Sequence, residues 1–117
     1  MEKSPSIEWF GDLKERANKN QKFQKAARWF NGTIGWRIDK DFFSLRISEG
    51  RVQETVPDSR APLFTISSDG EAWDELLTKG TINRLFRQKR IQIEGDRVEA
   101  MRYWKVLWYL TDIARNM

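Results

Sequence analysis

A chain of 117 residues with a net charge of +4 fits one domain built on a single core. The absence of cysteine excludes a disulfide framework and thiolate metal ligation, and the absence of histidine excludes Ser-His-Asp or Cys-His catalysis and imidazole metal sites. No stretch approaches the roughly 20 apolar residues of a membrane span, and the opening MEKSPSIEWFGDLKE is too acidic and too broken for a signal peptide, so a soluble, cytoplasmic protein is expected.

Residues 1–6 are expected to be flexible. From Ile7, the apolar positions Ile7, Phe10, Leu13 and Ala17 recur at three- and four-residue spacings and predict a first helix. Phe23, Ala26, Ala27 and Phe30 repeat the pattern, with Lys22, Lys25 and Arg28 facing water, and Asn31-Gly32 is the expected stop. The period then changes. Ile34, Trp36 and Ile38 alternate with polar neighbours, as do Phe43, Leu45 and Ile47, and Val52 and Val56 continue in phase. Turns at Asp39-Lys40-Asp41 and Glu49-Gly50 make residues 33–56 a three-stranded antiparallel meander. Arg37, Arg46, Arg51 and Gln53 on its opposite face imply that helices cover only one side. Gly35, inside the first strand, marks either a close approach to the backbone or a weak point in an edge strand.

Two prolines make 57–62 a loop, and LFTIS at 63–67 is a fourth strand. Ser68-Asp69-Gly70-Glu71 has the spacing of a capping box ahead of a helix with Trp73, Leu76 and Leu77 inward, ended by Gly80. Thr81 caps a short helix carrying Ile82, Leu85 and Phe86, and Ile91 and Ile93 mark a fifth strand. A last long helix starts at Asp96. Around it Arg102, Lys105, Tyr109 and Asp112 form one narrow polar stripe, while Ala100, Tyr103, Trp104, Val106, Leu107, Trp108, Leu110, Ile113 and Ala114 cover most of the rest. One packed face accounts for about a third of a helix, so something further must cover the remainder.

Chemistry-bearing groups are few. Asp39 with Asp41, and Asp69 with Glu71, Asp74 and Glu75, are the closest acidic clusters; a tight turn explains the first and a helix N-terminus the second. The glycines are dispersed among turns, so there is no phosphate loop. No catalytic residue, cofactor or metal is expected. Residues 79–117 hold nine Lys or Arg against four Asp or Glu, and Arg84, Arg87, Lys89 and Arg90 are candidates to contact an anionic membrane surface. A plain solvated surface explains the same charges. Nucleic acid is the less favoured partner: Trp36, Phe42 and Phe43 offer rings to bases, but the alternating strand aromatics of a ribonucleoprotein motif are missing.

The stretch FTISSDGEAWDELLTKGTINRLFRQKRIQIEGDRVEAM resembles the second half of sterol carrier protein 2 (SCP2) type domains. It carries that family's order of strand, capped helix ending at Gly80, short helix around Phe86, strand through Ile91-Gln92-Ile93, and Gly-Asp opening the last helix. With FNGTIGWRI and SEGRV in the first half, the resemblance spans roughly residues 8 to 115. Gln88 departs from it, standing near where many relatives have a glycine. The resemblance implies one SCP2-like domain over 1–117: an α+β fold with a five-stranded, largely antiparallel sheet, helices on one face, and an apolar tunnel between them. It also implies non-catalytic binding or transfer of a fatty acid, acyl-CoA, sterol-like or other lipid by a monomer or weak dimer. Trp73, Leu77, Ile82, Phe86, Trp104, Leu107 and Trp108 are the expected ligand-binding residues. Two alternatives remain: the rings complete the core, or the apolar last helix meets a second copy or an enzyme partner, making the chain an accessory module.

Overall fold

The computed structural model describes residues 6–117, so the flexible stretch expected over 1–6 falls mostly outside the described residues. Ser6 itself is ordered by function: its hydroxyl accepts from Trp9 N at 3.1 Å and caps α1 (Ile7–Ala17), which buries Phe10, Leu13 and Ala17. Asn20 likewise caps α2 (Gln21–Ala27) through Phe23 N at 2.9 Å. This helix ends at Ala27, before the expected Asn31-Gly32 stop, and Gly32 already belongs to the sheet.

Five strands follow the expected periods: β1 (Gly32–Ile38), β2 (Asp41–Ser48), β3 (Arg51–Val56), β4 (Phe64–Ser68) and β5 (Ile91–Gly95). The sheet order is β3-β2-β1-β4-β5, with every pairing antiparallel except β1 with β4. The fifth and fourth strands therefore flank the meander on its β1 side, and β1 is central rather than an edge. Gly35 explains itself there. It pairs with Ser44 on one side and Thr65 on the other, and a Cβ at this position would lie 2.7 Å from Phe42 Cζ and 2.7 Å from Thr65 Oγ1. The Phe42 ring occupies the space a side chain would need.

The helical face of the sheet is apolar, with Ile34, Trp36, Ile38, Phe43, Leu45, Ile47, Phe64, Ile66, Ile91 and Ile93 all buried in one continuous core. Arg37 and Arg46 are exposed on the opposite face, as anticipated. That face is not bare, however: the loop after β3 folds over it, Ser44 Oγ donating to Asp58 O at 2.6 Å and accepting from Arg60 N at 3.1 Å. On the β3 edge, the side chain of Asn18 closes the ladder. Its Nδ2 donates to Val52 O at 2.9 Å and its Oδ1 accepts from Val52 N at 2.8 Å, so a side-chain amide supplies both bonds that a neighbouring strand would make.

The cap of α3 (Gly70–Thr78) is Asp69, whose carboxylate accepts from Ala72 N at 2.7 Å, instead of the Ser68 box read from the sequence. The helix ends at Thr78, one turn residue short of Gly80. Thr81 caps α4 (Ile82–Arg87) as expected. Gln88 closes this helix, and the left-handed residue is the next one, Lys89, with φ +62°.

The expected long last helix is two: α5 (Arg97–Arg102), capped by Asp96, and α6 (Trp104–Arg115). The break is Tyr103, at φ −107°, ψ 31°. Its ring stands edge-on to Phe30 with centroids 4.9 Å apart, and its hydroxyl donates to Trp29 O at 3.2 Å. Contacts with a segment distant in sequence hold this residue out of helical geometry. Among the described residues, no helix is long and apolar enough to cross a membrane.

Candidate functional site

Inside the layer between sheet and helices, rings interlock. Phe10 of α1 stacks on Phe43 of β2 with centroids 4.5 Å apart, and Trp73 of α3 meets the edges of Trp9 at 5.5 Å and Trp36 at 5.9 Å. Offset and edge-on geometries of this kind fit the ring quadrupoles, but planar groups leave gaps where they meet α6. The result is a small apolar cavity walled by Phe10 and Leu13 of α1, Trp36 of β1, Trp73 and Leu77 of α3, and Leu110, Thr111 and Ala114 of α6. Its volume is about 10 Å³, room for a single water. Among the described residues, the protein's own rings fill most of the space between the sheet and α6 around this cavity.

Among the described residues, no charged side chain lines the cavity. Thr111 is its one hydroxyl, and that group bonds back to its own helix, to Leu107 O at 2.9 Å and Trp108 O at 3.1 Å. Trp36 is 2% exposed, and its Nε1 is the one buried side-chain nitrogen or oxygen among the described residues that has no hydrogen-bond partner.

Of the seven residues proposed from sequence as ligand contacts, Trp73 and Leu77 line this cavity. Ile82 and Leu107 are buried in the surrounding core. Phe86 and Trp104 are half-buried and pack on each other with centroids 5.3 Å apart, the Trp104 indole N–H donating to Asn83 Oδ1. Trp108 is 38% exposed. On α6 the cavity face is therefore Leu110, Thr111 and Ala114, which lies about 70–110° round the helix from Trp104 and Trp108. The spacing of three and four residues from Leu107 was the available signal for that face. Nothing local marked Phe10, Leu13 or Trp36 as its partners across the cavity.

A larger, open cleft of about 660 Å³ is lined by Arg37, Asp39, Ser67, Ser68, Asp69, Lys89, Arg90 and Gln92. Most of its charges already serve the fold. Arg37 pairs with Glu94 at 2.6 Å and bonds Ser67 Oγ at 2.9 Å, Asp39 accepts from Gly70 N at 3.1 Å, and Asp69 caps α3. Arg90 bonds Glu75 at 2.7 Å; this bond holds the Glu75 carboxyl below its ordinary range and raises the Arg90 guanidinium in return. Arg84 also approaches Glu75, at 3.8 Å, so two of the four cations proposed for an anionic surface share one carboxylate. Among the described residues, no group of three or more acidic side chains is placed to hold a metal ion. Trp36 and Phe43 are buried and Phe42 lies over Gly35, which leaves the strand rings poorly placed to stack on bases.

The profile of the SCP-2 sterol transfer family matches residues 10–107. No curated protein matches. Among solved structures, a crystal structure of sterol carrier protein 2 is similar at a TM-score of 0.85 and 16% identity, over 96% of this chain and 97% of that one. Palmitated SCP2L2 from Aedes aegypti is similar at a TM-score of 0.60 and 14% identity, over 91% and 90%. A third similarity, to the sec-alkyl sulfatase PisA1, has a TM-score of 0.65 and 15% identity; it covers 88% of this chain but only 16% of the enzyme.

Proposed function

The chain belongs to the SCP-2 sterol transfer family, whose fold it shares and whose membership implies lipid binding or transfer, and from that footing we propose that it binds one apolar ligand, without catalysis, between its sheet and α6. The observation that carries this is the uncharged cavity between α1, β1, α3 and α6, with Trp73 and Leu77 in its wall. The palmitated relative supports an acyl chain as one ligand class; acyl-CoA and sterol-like lipids are others. At about 10 Å³ the cavity admits a ligand only if its walls part. Each ligand methylene that enters contributes about 0.8 kcal/mol, so half a sixteen-carbon chain supplies about 6.4 kcal/mol and a whole one about 13 kcal/mol before association costs, and micromolar binding requires burial of most of the chain.

The half-buried Phe86 and Trp104 and the exposed Trp108 sit at the junction of α4 and α6. We propose that these rings, with Ile82 and Leu107 behind them, form the approach to the ligand space. Arg84, Arg87, Lys89 and Arg90 alongside them would hold the protein against an anionic membrane surface. Organic extraction of purified protein followed by mass spectrometry tests the main reading: the expected result is stoichiometric lipid, and empty extracts together with no binding of added acyl chains reject it. Charge reversal at Arg87 and Lys89 is expected to weaken sedimentation with anionic vesicles while leaving lipid content unchanged.

A further inference from the structure

We propose that the end of the molecule formed by the α2–β1 corner and α5 is a docking face for an anionic lipid bilayer, with Trp29, Val98 and Met101 entering the bilayer and the surrounding Lys and Arg side chains resting on its headgroups. This face is separate from the cavity and from the α4 cations, and the inference does not depend on what the cavity holds.

Exposure singles out this end. Among the described residues four large apolar side chains are exposed, and three of them are Trp29 at 74%, Val98 at 71% and Met101 at 46%. Chain contacts bring the three to one place. The Tyr103 hydroxyl, just past α5, donates to Trp29 O at 3.2 Å, and its ring stands against Phe30. Asp96 N, just ahead of α5, donates to Leu63 O, and Leu63 N donates to Thr33 O near the start of β1. Both ends of α5 are therefore tied to the corner that carries Trp29. Val98 and Met101 are three residues apart, on the side of this helix turned away from the buried Ala100. Exposed apolar side chains rimmed by polar groups mark membrane or protein contacts.

Charge decides which surface it is. Residues 22–29 and 96–105 hold six Lys or Arg against two Asp or Glu. Lys25, Arg28, Arg97, Arg102 and Lys105 are exposed, and of these five, among the described residues, only Arg102 pairs with a carboxylate, Glu99 at 3.3 Å. By contrast Arg84 and Arg90 share Glu75. Each Lys or Arg near an anionic leaflet contributes about fivefold in affinity, and Trp is favoured at the boundary between headgroups and acyl chains. Nucleic acid is a poorer match. The Arg28 guanidinium lies 5.0 Å from the Trp29 ring centre and covers one face of it, and Val98 and Met101 offer a base nothing to stack on.

The test uses the full chain, which has no cysteine of its own and so takes a single thiol-directed label. Val98→Cys places an environment-sensitive fluorophore on the proposed face. Lys40→Cys places it at the far end of the strands, in the turn after β1 and near the cleft that Lys89 and Arg90 line. With vesicles of phosphatidylcholine mixed with phosphatidylserine, the Val98→Cys label is expected to brighten and shift to the blue while the Lys40→Cys label stays unchanged; vesicles of phosphatidylcholine alone should give a much smaller response. In sedimentation with the mixed vesicles, Arg28→Glu with Arg97→Glu is expected to weaken binding about 25-fold or more, and Trp29→Ser with Val98→Ser about tenfold. A response of the Lys40→Cys label alone, unchanged sedimentation of both double variants, or no binding of the unaltered chain to the mixed vesicles overturns the proposal. So does a dimer that Trp29→Ser dissociates with no change in vesicle binding, which would make the face a contact between two copies. Should a double variant fail to fold, the two label positions decide alone.

Discussion

Ala114→Leu is the substitution most diagnostic of the ligand space. Ala114 lies on the cavity face of α6, is almost fully buried, and shares the void with Trp36, Trp73 and Leu110. Leucine adds three carbons to a space of about 10 Å³, which is overpacked by any conformer, and overpacking of this kind costs about 1–3 kcal/mol. With an unfolding entropy of about 2.1 cal/mol/K per residue, a chain of this length loses about 4 °C in Tm for each kcal/mol, so a drop of about 4–12 °C is expected. The fold survives that loss. Binding suffers separately, since the added carbons exclude about three ligand methylenes. At about 0.8 kcal/mol each this forfeits about 2.4 kcal/mol, or roughly 60-fold in Kd. Thermal melting by circular dichroism and displacement of a fluorescent acyl probe read the two effects independently. A variant that melts cooperatively and binds the probe as the unaltered protein does would refute the cavity as the ligand space.

Three further predictions concern what holds that space in place. Asn18→Ala removes both bonds to Val52 at the β3 edge and leaves a buried N–H and C=O unpaired, with an expected loss of about 1–3 kcal/mol; a lower denaturant midpoint and faster hydrogen exchange at the Val52 amide check it. Gly35→Ala drives a Cβ into the Phe42 ring and Thr65 Oγ1, for an expected cost of about 1–3 kcal/mol, read as a shifted denaturation midpoint. The Glu75 carboxyl, lowered chiefly by the hydrogen bond from Arg90, lies below its unfolded-state value. Its stabilising contribution is thus present above the ordinary carboxylate range and is lost as pH falls through the lowered folded value. Tm measured against pH should decline on acidification, and Glu75→Gln should start lower at neutral pH and decline less.

Local order was open to reading from the chain alone. Strand alternation through Ile34-Trp36-Ile38 and Phe43-Leu45-Ile47, the helical stripe of Phe10, Leu13 and Ala17, and the Thr81 cap depend on neighbours within four residues, and each stands where its period put it. A side chain's phase states which face is apolar, and the five-stranded α+β arrangement followed from those phases together with the family resemblance. What an apolar face meets is a different matter. The capping box at Ser68 gave way to Asp69 because the two residues compete for the same helix start, and the strand-to-helix path after β4 decided between them.

The largest divergence lies at the C-terminal end, for a traceable reason. Read as one helix, residues 97–115 present Trp104, Leu107 and Trp108 together. In the folded chain Phe30 and Trp29 O, over seventy positions away, take hold of Tyr103 and interrupt the helix. The α6 face pressed against the interior is then Leu107, Leu110, Thr111 and Ala114, and Trp108 is turned partly outward. The amino-acid sequence by itself determined which segments are strands and helices, which side of each is oily, and the family. Tertiary structure alone decided that β1 is central, that Trp36 of that strand meets Trp73 edge-on beside the cavity, and that its buried N–H finds no acceptor among the described residues. Periodicity is a property of bonded neighbours, whereas a cavity is the volume left over when surfaces distant along the chain are pressed together.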